Sequence, residues 1–397
     1  MAHIEIRNVG PISHVSLDLL RFNVFIGRQS SGKSTLAKII SNCIWMEKEV
    51  LTHPSKYNNL TEFEEGFIQR LEDFHFMHGY FSVESYICYQ SEYLTIRYAA
   101  EKCKVEMSKK KSFKRCKVLY IPAERNIVVK KVPQTQDNNL RSFSIDYTTA
   151  RYFFHAKNML DLFDLGMKYY QVTKNGEVVD NIISTNEKYK ISLENASSGL
   201  QSIVPLTLTV HFFSNLFYTK NNESRTLDQW QDDDRKNTRI YIKEQFSGKF
   251  ADNLADRLLK THSSSFVIEE PELNLFPTTQ KELVNFIIRS CGISSRAKKH
   301  SCTFTTHSPY ILSSLNLLIF SGKLVDLGIS DDVLQVTNGC FIKPSEIGVY
   351  SVGDGEVKSI MDDNTGMISQ NHLDEASNLI SDDFNRLYRI YLDFLKT

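Results

Sequence analysis

The chain has 397 residues, 41% hydrophobic and 24% charged, the balance of a globular protein with a sizeable core in one large α/β domain or two smaller ones. Its 47 Lys and Arg residues match 47 Asp and Glu, so no global field draws it to nucleic acid or to an anionic membrane, and any such contact must be local. The start carries no basic segment followed by an apolar one, and no stretch reaches the roughly 18 consecutive apolar residues of a membrane span, so a cytoplasmic protein with no membrane partner is expected.

Seven cysteines, at 43, 88, 103, 116, 291, 302 and 340, form no close pair, which argues against a zinc site or a disulfide framework. In chain order, the alternation Ile4 to Ile12 followed by Val15 to Leu19 predicts two strands joined by the turn Gly10-Pro11. The apolar run Phe22 to Ile26 predicts a third strand, and Leu36 to Ile40 the start of a helix. Between them stands Gly27-Arg28-Gln29-Ser30-Ser31-Gly32-Lys33-Ser34-Thr35, a complete Walker A sequence in its strand–loop–helix setting. Glycines at both ends of such a loop let consecutive backbone N–H groups turn inward, and the helix N-terminus adds partial positive charge, so a nucleoside triphosphate such as ATP fits there. Lys33 is placed to reach the β- and γ-phosphates, and the Ser34 hydroxyl to ligate Mg²⁺.

From about residue 45 to 115 aromatic and charged residues recur without a clear period, which reads as a mixed and mostly helical insertion. Val118 to Ile121 predicts a buried strand that ends at Pro122 before the loop Ala123-Glu-Arg-Asn126. Asn195-Ala-Ser-Ser198-Gly199-Leu-Gln201 precedes an apolar helical run, and taken alone Ser-Ser-Gly is a helix cap with a glycine. Residues 219–262, with Asp232-Asp-Asp-Arg-Lys236, read as a solvated, charged insertion.

Ser265-Phe-Val-Ile268 predicts a buried strand that delivers Glu269 and Glu270 to its carboxyl end. In a P-loop fold that is where Mg²⁺ and the attacking water sit; Glu269 would hold the metal shell and Glu270 would orient or deprotonate water. Glu272 lies two residues further on, with helix capping as one option and no role assigned. Cys302 to Thr306 predicts a strand ending at His307, and a histidine there can contact the γ-phosphate and register its presence. No repeat and no long heptad array is visible, which argues against a coiled-coil arm.

Together these segments resemble the ABC-type ATPases of the SMC, RecF and OLD group, and most closely the OLD-like bacterial AAA ATPases of phage-defence systems. The resemblance implies a single ATPase domain over 1–397, a P-loop NTPase of the ABC-type ATPase head class with a mixed sheet flanked by helices, helical insertions, and a C-terminal α/β extension over 320–397. It also implies that Ser198, Gly199 and Gln201 match the ABC signature and reach the ATP held by another protomer, making a homodimer or higher oligomer around an ATP sandwich. Gln29 stands where the family usually has Asn, Glu269 replaces the usual Asp, and no Q-loop glutamine is identifiable, Ala123 to Arg125 being where it would fall. The Toprim nuclease domain of OLD proteins needs a glycine-flanked Glu and a later Asp-x-Asp. Residues 320–397 offer only Gly353-Asp-Gly-Glu356 and Met361-Asp-Asp363, so no nuclease activity is expected.

The expected role is therefore a switch ATPase of a defence system, controlling a separately encoded effector. The alternative is a RecF- or SMC-like clamp on duplex DNA, with Lys109 to Lys111, Lys114 to Lys117 and Lys130-Lys131 as its basic surface. A transporter ATPase fits less well, because the fuller Leu-Ser-Gly-Gly-Gln signature is missing.

Overall fold

In the first hairpin, β1 (Ala2–Val9) and β2 (Ile12–Leu19), Ile4, Ile6, Val15 and Leu17 point into a core while Arg7, Ser13, His14, Ser16 and Asp18 face out. Asn8 adopts the left-handed conformation and breaks the alternation of faces while the register of the hairpin holds, so that Val9 also faces inward opposite Ile12. The computed structural model describes residues 2–52, 60–108, 113–130, 160–162, 167–174, 177–185, 189–215, 218, 240, 242–244, 248–249, 251, 253, 260–292, 299–329, 331–369 and 381–389. Lys109 to Lys111, Lys131 and most of 219–262 lie outside the described residues.

The chain continues through β3 (Phe22–Ile26), α1 (Lys33–Thr52), α2 (Thr61–Asp73), β4 (Tyr86–Gln90), β5 (Leu94–Ala99), β6 (Lys102–Met107), β7 (Cys116–Ile121) and the single-turn α3 (Ile127–Lys130). A separate sheet follows, β8 (Leu160–Leu162), β9 (Met167–Lys174), β10 (Glu177–Thr185) and β11 (Tyr189–Ser192), and then α4 (Ser198–Ser214). The last elements are β12 (Ser263–Glu269), α5 (Pro277–Ser290), β13 (Ser301–Thr306), α6 (Pro309–Asp326), α7 (Asp331–Val336), β14 (Ile347–Gly353) and β15 (Glu356–Ser359).

Eleven strands form the main sheet in the order β6-β5-β4-β1-β2-β15-β14-β3-β13-β12-β7. Its β14-β3-β13-β12-β7 half is parallel, and the β6-β5-β4-β1-β2 half is antiparallel. Parallel strands need covering on both faces, and β3 is apolar on both: Phe22, Val24 and Ile26 enter one core and Phe25 the other. On one face α1 and α2 contribute Leu36, Ile39, Ile40, Phe63 and Phe67; on the other α4, α5 and α6 contribute Ile203, Leu206, Leu283, Ile287, Ile311 and Leu315. The fold is a P-loop α/β architecture, a mixed sheet flanked by helices.

Within 45–115 the described residues are mixed, the end of α1 and α2 preceding the β4–β6 meander, and β4 hydrogen-bonds to β1, so the meander widens the main sheet. Further on, β14 pairs in parallel with the P-loop strand β3 over Ile347–Ser351, in the middle of the sheet.

Candidate active site

The site is built at the carboxyl ends of three adjacent strands. β13 lies between β3 and β12, with Thr305 in register with both Phe25 and Glu269. Strand spacing therefore puts the P-loop and the paired glutamates about 10 Å apart, with the His307 turn between them. That separation suits a phosphate chain with an attacking water beyond it.

The loop from Gly27 to Gly32 has a shape that side chains would obstruct. A Cβ on Gly27 would stand 2.1 Å from the Val352 carbonyl oxygen of β14, so the loop passes against that strand with no room to spare. Ser30 and Gly32 also have positive φ, and Lys33 and Thr35 are buried at the start of α1. Lys33 Nζ donates to the carbonyls of Gly27 and Arg28 at 3.0 and 2.7 Å. Burial lowers its pKa, opposed by the charges of Glu270, Glu272 and Glu269. Arg28, Gln29, Ser30 and Ser34 are exposed, while Ser31 is half-buried with a covered hydroxyl that makes no hydrogen bond.

Glu269 ends β12 and is only 6% exposed. Burial raises the pKa of its carboxyl; the hydroxyls of Tyr120 and Ser34 and the charge of Lys38 pull the other way. Its Oε1 makes no hydrogen bond, and the Tyr120 hydroxyl is close enough to influence the carboxyl without forming a well-directed bond. A covered, unpartnered carboxylate oxygen beside a serine hydroxyl is an all-oxygen donor set that suits Mg²⁺.

Glu270 leaves the strand with φ 41° and stays about one-third exposed. Its Oε1 is 3.5 Å from His307 Nε2. Its pKa is lowered, first by the His307 hydrogen bond and then by the charges of His307, Lys33 and Arg125, with burial opposing. It is therefore ionised at neutral pH and can accept a proton or orient water.

Two residues of this site escaped the sequence reading. Glu272 does not cap α5, whose N-cap is Phe276 without any side-chain bond. Its Oε1 instead accepts from the Thr306 hydroxyl at 2.8 Å and from the His307 backbone N–H at 2.7 Å, which ties the histidine turn to the glutamate loop. Arg125 is 2% exposed and donates only to backbone carbonyls, among them Glu269 and Glu270. Its neighbourhood was visible as Ala123-Glu-Arg125 after a strand, but its role was not.

The signature residues sit elsewhere on the chain. Ser197 is the N-cap of α4 and accepts from Leu200 N–H, and in its first turn Ser198 is exposed and Gly199 half-buried. A Cβ on Gly199 would stand 2.7 Å from the Asn274 carbonyl oxygen, so this turn lies against the loop that follows the glutamates. Gln201 turns inward: its Nε2 donates to the carbonyls of Leu193, Glu194 and Ala196, shaping the turn before the helix.

No family model matches the sequence, and no curated protein matches it. Among solved structures the chain is similar to the SMC head domain from Thermotoga maritima (9% identity, 90% of this chain and 97% of that one, TM-score 0.40). It is also similar to the recombination mediator protein RecF (9%, 90% and 97%, TM-score 0.34) and to a nucleotide-free ATP-binding cassette from an ABC transporter (10%, 90% and 90%, TM-score 0.30). Among the described residues no helix is long and apolar enough to cross a membrane.

Proposed function

We propose that this chain is an ATPase that works as a nucleotide-dependent switch. The observation that carries the reading is the convergence of Lys33, Glu269, Glu270 and His307 at the ends of β3, β12 and β13. In this reading the P-loop amides and Lys33 bind the phosphates, Glu270 orients and deprotonates the attacking water, and His307 holds Glu270 and contacts the γ-phosphate. Ser34 and Glu269 would hold Mg²⁺, which supplies charge neutralisation to phosphate oxygens.

Ser198 lies exposed, with Gly199 half-buried beside it, at the N-terminus of a 17-residue helix, a donor-rich end suited to a phosphate on a second copy of the chain. Two such copies would enclose two ATP molecules, and hydrolysis would release them, so association follows nucleotide state. We assign this switch to control of a separately encoded effector protein, as the sensor ATPase of an anti-phage defence system. What favours a protein partner over DNA is the outer row of α6, where Tyr310, Leu317, Phe320 and, just past its end, Leu327 are exposed beginning three residues after His307.

Purification of Glu270→Gln from the native host in ATP and Mg²⁺ tests both levels. This variant keeps ATP but loses about 10²- to 10³-fold in turnover, so the closed dimer accumulates. A stoichiometric second polypeptide is the expected finding; DNA without a second protein would overturn the effector assignment in favour of a RecF- or SMC-like clamp. Turnover at the wild-type rate would refute Glu270 as the base.

A further inference from the structure

Arg125 presents an unusual set of bonds for a buried cation. A guanidinium has five N–H donors, and here five backbone carbonyls receive them. Nε donates to Ser202 O at 3.1 Å, Nη1 to Pro122 O at 3.4 Å and Glu269 O at 2.9 Å, and Nη2 to Glu270 O at 3.0 Å and Pro271 O at 3.2 Å. No carboxylate is among these partners. Burial lowers the pKa to about 10, with Glu272, Glu270, Glu269 and Glu124 resisting the fall, so the side chain remains a cation at neutral pH.

The acceptors belong to three segments that are distant in sequence: the end of β7, the loop carrying Glu269 and Glu270, and the early part of α4. Ser202 lies one turn beyond Ser198. Pro205, inside α4, has no N–H for the Gln201 carbonyl, so the helix lacks one backbone hydrogen bond beside the place where the guanidinium arrives. The close approach of Gly199 to Asn274 is a second contact between the same loop and the same helix end. A lysine, with one ammonium on a flexible stem, cannot span three segments as a planar fork does.

We propose that Arg125 is a positioning residue that couples the Glu270 loop to α4, so that a shift of the loop on nucleotide binding or hydrolysis is carried to Ser198 and Gly199. The inference rests on the ATPase reading and adds to it the route by which one site informs the surface that meets a second copy. Arg125 touches no reacting atom; it acts through the backbone of Glu269, Glu270 and Ser202.

The test uses full-length Arg125→Lys and Arg125→Met, with hydrogen–deuterium exchange with and without ATP and Mg²⁺, at concentrations where mass photometry reports monomers. Wild type is expected to show ATP-dependent protection both in the P-loop, 27–35, and in α4, 198–206. Both variants should bind a fluorescent ATP analogue within about threefold of wild type, keep the P-loop response, lose the α4 response, and lose about 10- to 100-fold in kcat. Should Arg125→Met fail to fold, Arg125→Lys carries the test. A purely structural role would raise exchange in α4 equally with and without ATP and leave the difference intact, which overturns the coupling. So would a wild-type α4 that does not respond to ATP. Failure of wild type to bind the analogue at all would instead sink the ATPase reading, a result distinct from either.

Discussion

Replacing Glu272 by Ala separates the positioning of His307 from its presence. The carboxylate oxygen Oε1 takes both the Thr306 hydroxyl and the His307 N–H, so one truncation removes the acceptor of two donors in the turn that carries the histidine. Hydrogen bonds to a charged group contribute about 1.5–3 kcal/mol each, and a covered donor left unpaired costs about 1–3 kcal/mol. Water entering the vacated space restores part of this, so a loss of roughly 3 kcal/mol in folding stability is expected. The His307 imidazole then loses its fixed distance to Glu270. If about 1.5–3 kcal/mol of that order is used in the transition state, kcat falls about 10- to 150-fold. Glu272→Gln keeps a neutral acceptor oxygen and should lose less than tenfold by the same reasoning. Steady-state phosphate release, run beside binding of a fluorescent ATP analogue, reads the two effects apart: affinity should hold while turnover drops. An Ala variant that melts several degrees lower yet turns over within twofold of wild type would refute the positioning role and leave Glu272 a purely structural tie.

Lys33→Ala should weaken ATP binding about 100-fold or more, since a buried cation facing phosphates contributes near 3 kcal/mol; equilibrium titration with the fluorescent analogue checks it, and unchanged affinity would mean that phosphate is not held there. His75 is fully buried, edge-on to Phe74 and Tyr120 at 4.8 Å, and neither ring nitrogen has a hydrogen-bond partner. Burial first, then Arg70 and Lys38, holds its pKa well below the ordinary value. The unfolded chain therefore takes up the proton first as pH falls through about 6.5, and stability is lost from there downward at up to about 1.4 kcal/mol per pH unit, until the folded ring also titrates. His75→Phe removes that component and raises stability at pH 7 by about 1–2 kcal/mol, because no unpaired nitrogen remains in the core. Urea titrations at pH 7.5 and 5.5 decide it, an identical pH dependence in both proteins being the contrary result.

The parts of the site that were legible in the sequence are those where chemistry demands a side chain at a strand end. Gly27 to Thr35 between an apolar run and a helix, Glu269-Glu270 after Phe266-Val-Ile268, and His307 after Phe304 all lie where the strand–loop spacing puts them. What was hidden depends on partners with no side-chain signature. Arg125 spends its five donors on carbonyls that every residue possesses, and Glu272 receives a backbone N–H. The central place of β14 was hidden for a related reason. Ile347 to Val352 is apolar enough for a strand, but its partner, β3, lies more than 300 residues earlier, and local pattern cannot specify a pairing at that distance. The β4–β6 meander was obscured because α2, which precedes it, is rich in the same aromatic and charged residues.

Glu270 combines the two ideas, a side chain set by chemistry and a backbone set by remote bonds. A left-handed conformation costs a non-glycine residue about 1–2 kcal/mol, and here it is imposed on the proposed base. The surroundings hold it at both peptide groups: its N–H donates to Thr305 O at 2.9 Å, and its carbonyl accepts from Arg125 and from Leu273 N–H. The bend lets the chain leave β12 while the carboxylate stays beside His307. Glu270→Gly and Glu270→Ala should therefore abolish turnover alike but differ in stability, with Gly higher by about 1 kcal/mol. That order is the reverse of the usual one, in which the extra freedom of Gly in the unfolded chain makes it the less stable by about 0.5–1 kcal/mol. Chemical denaturation of the two variants measures the difference directly. Equal stabilities, or the usual order, would mean that the loop relaxes to an ordinary conformation and that the carboxylate is aimed by its bond to His307 rather than by the backbone.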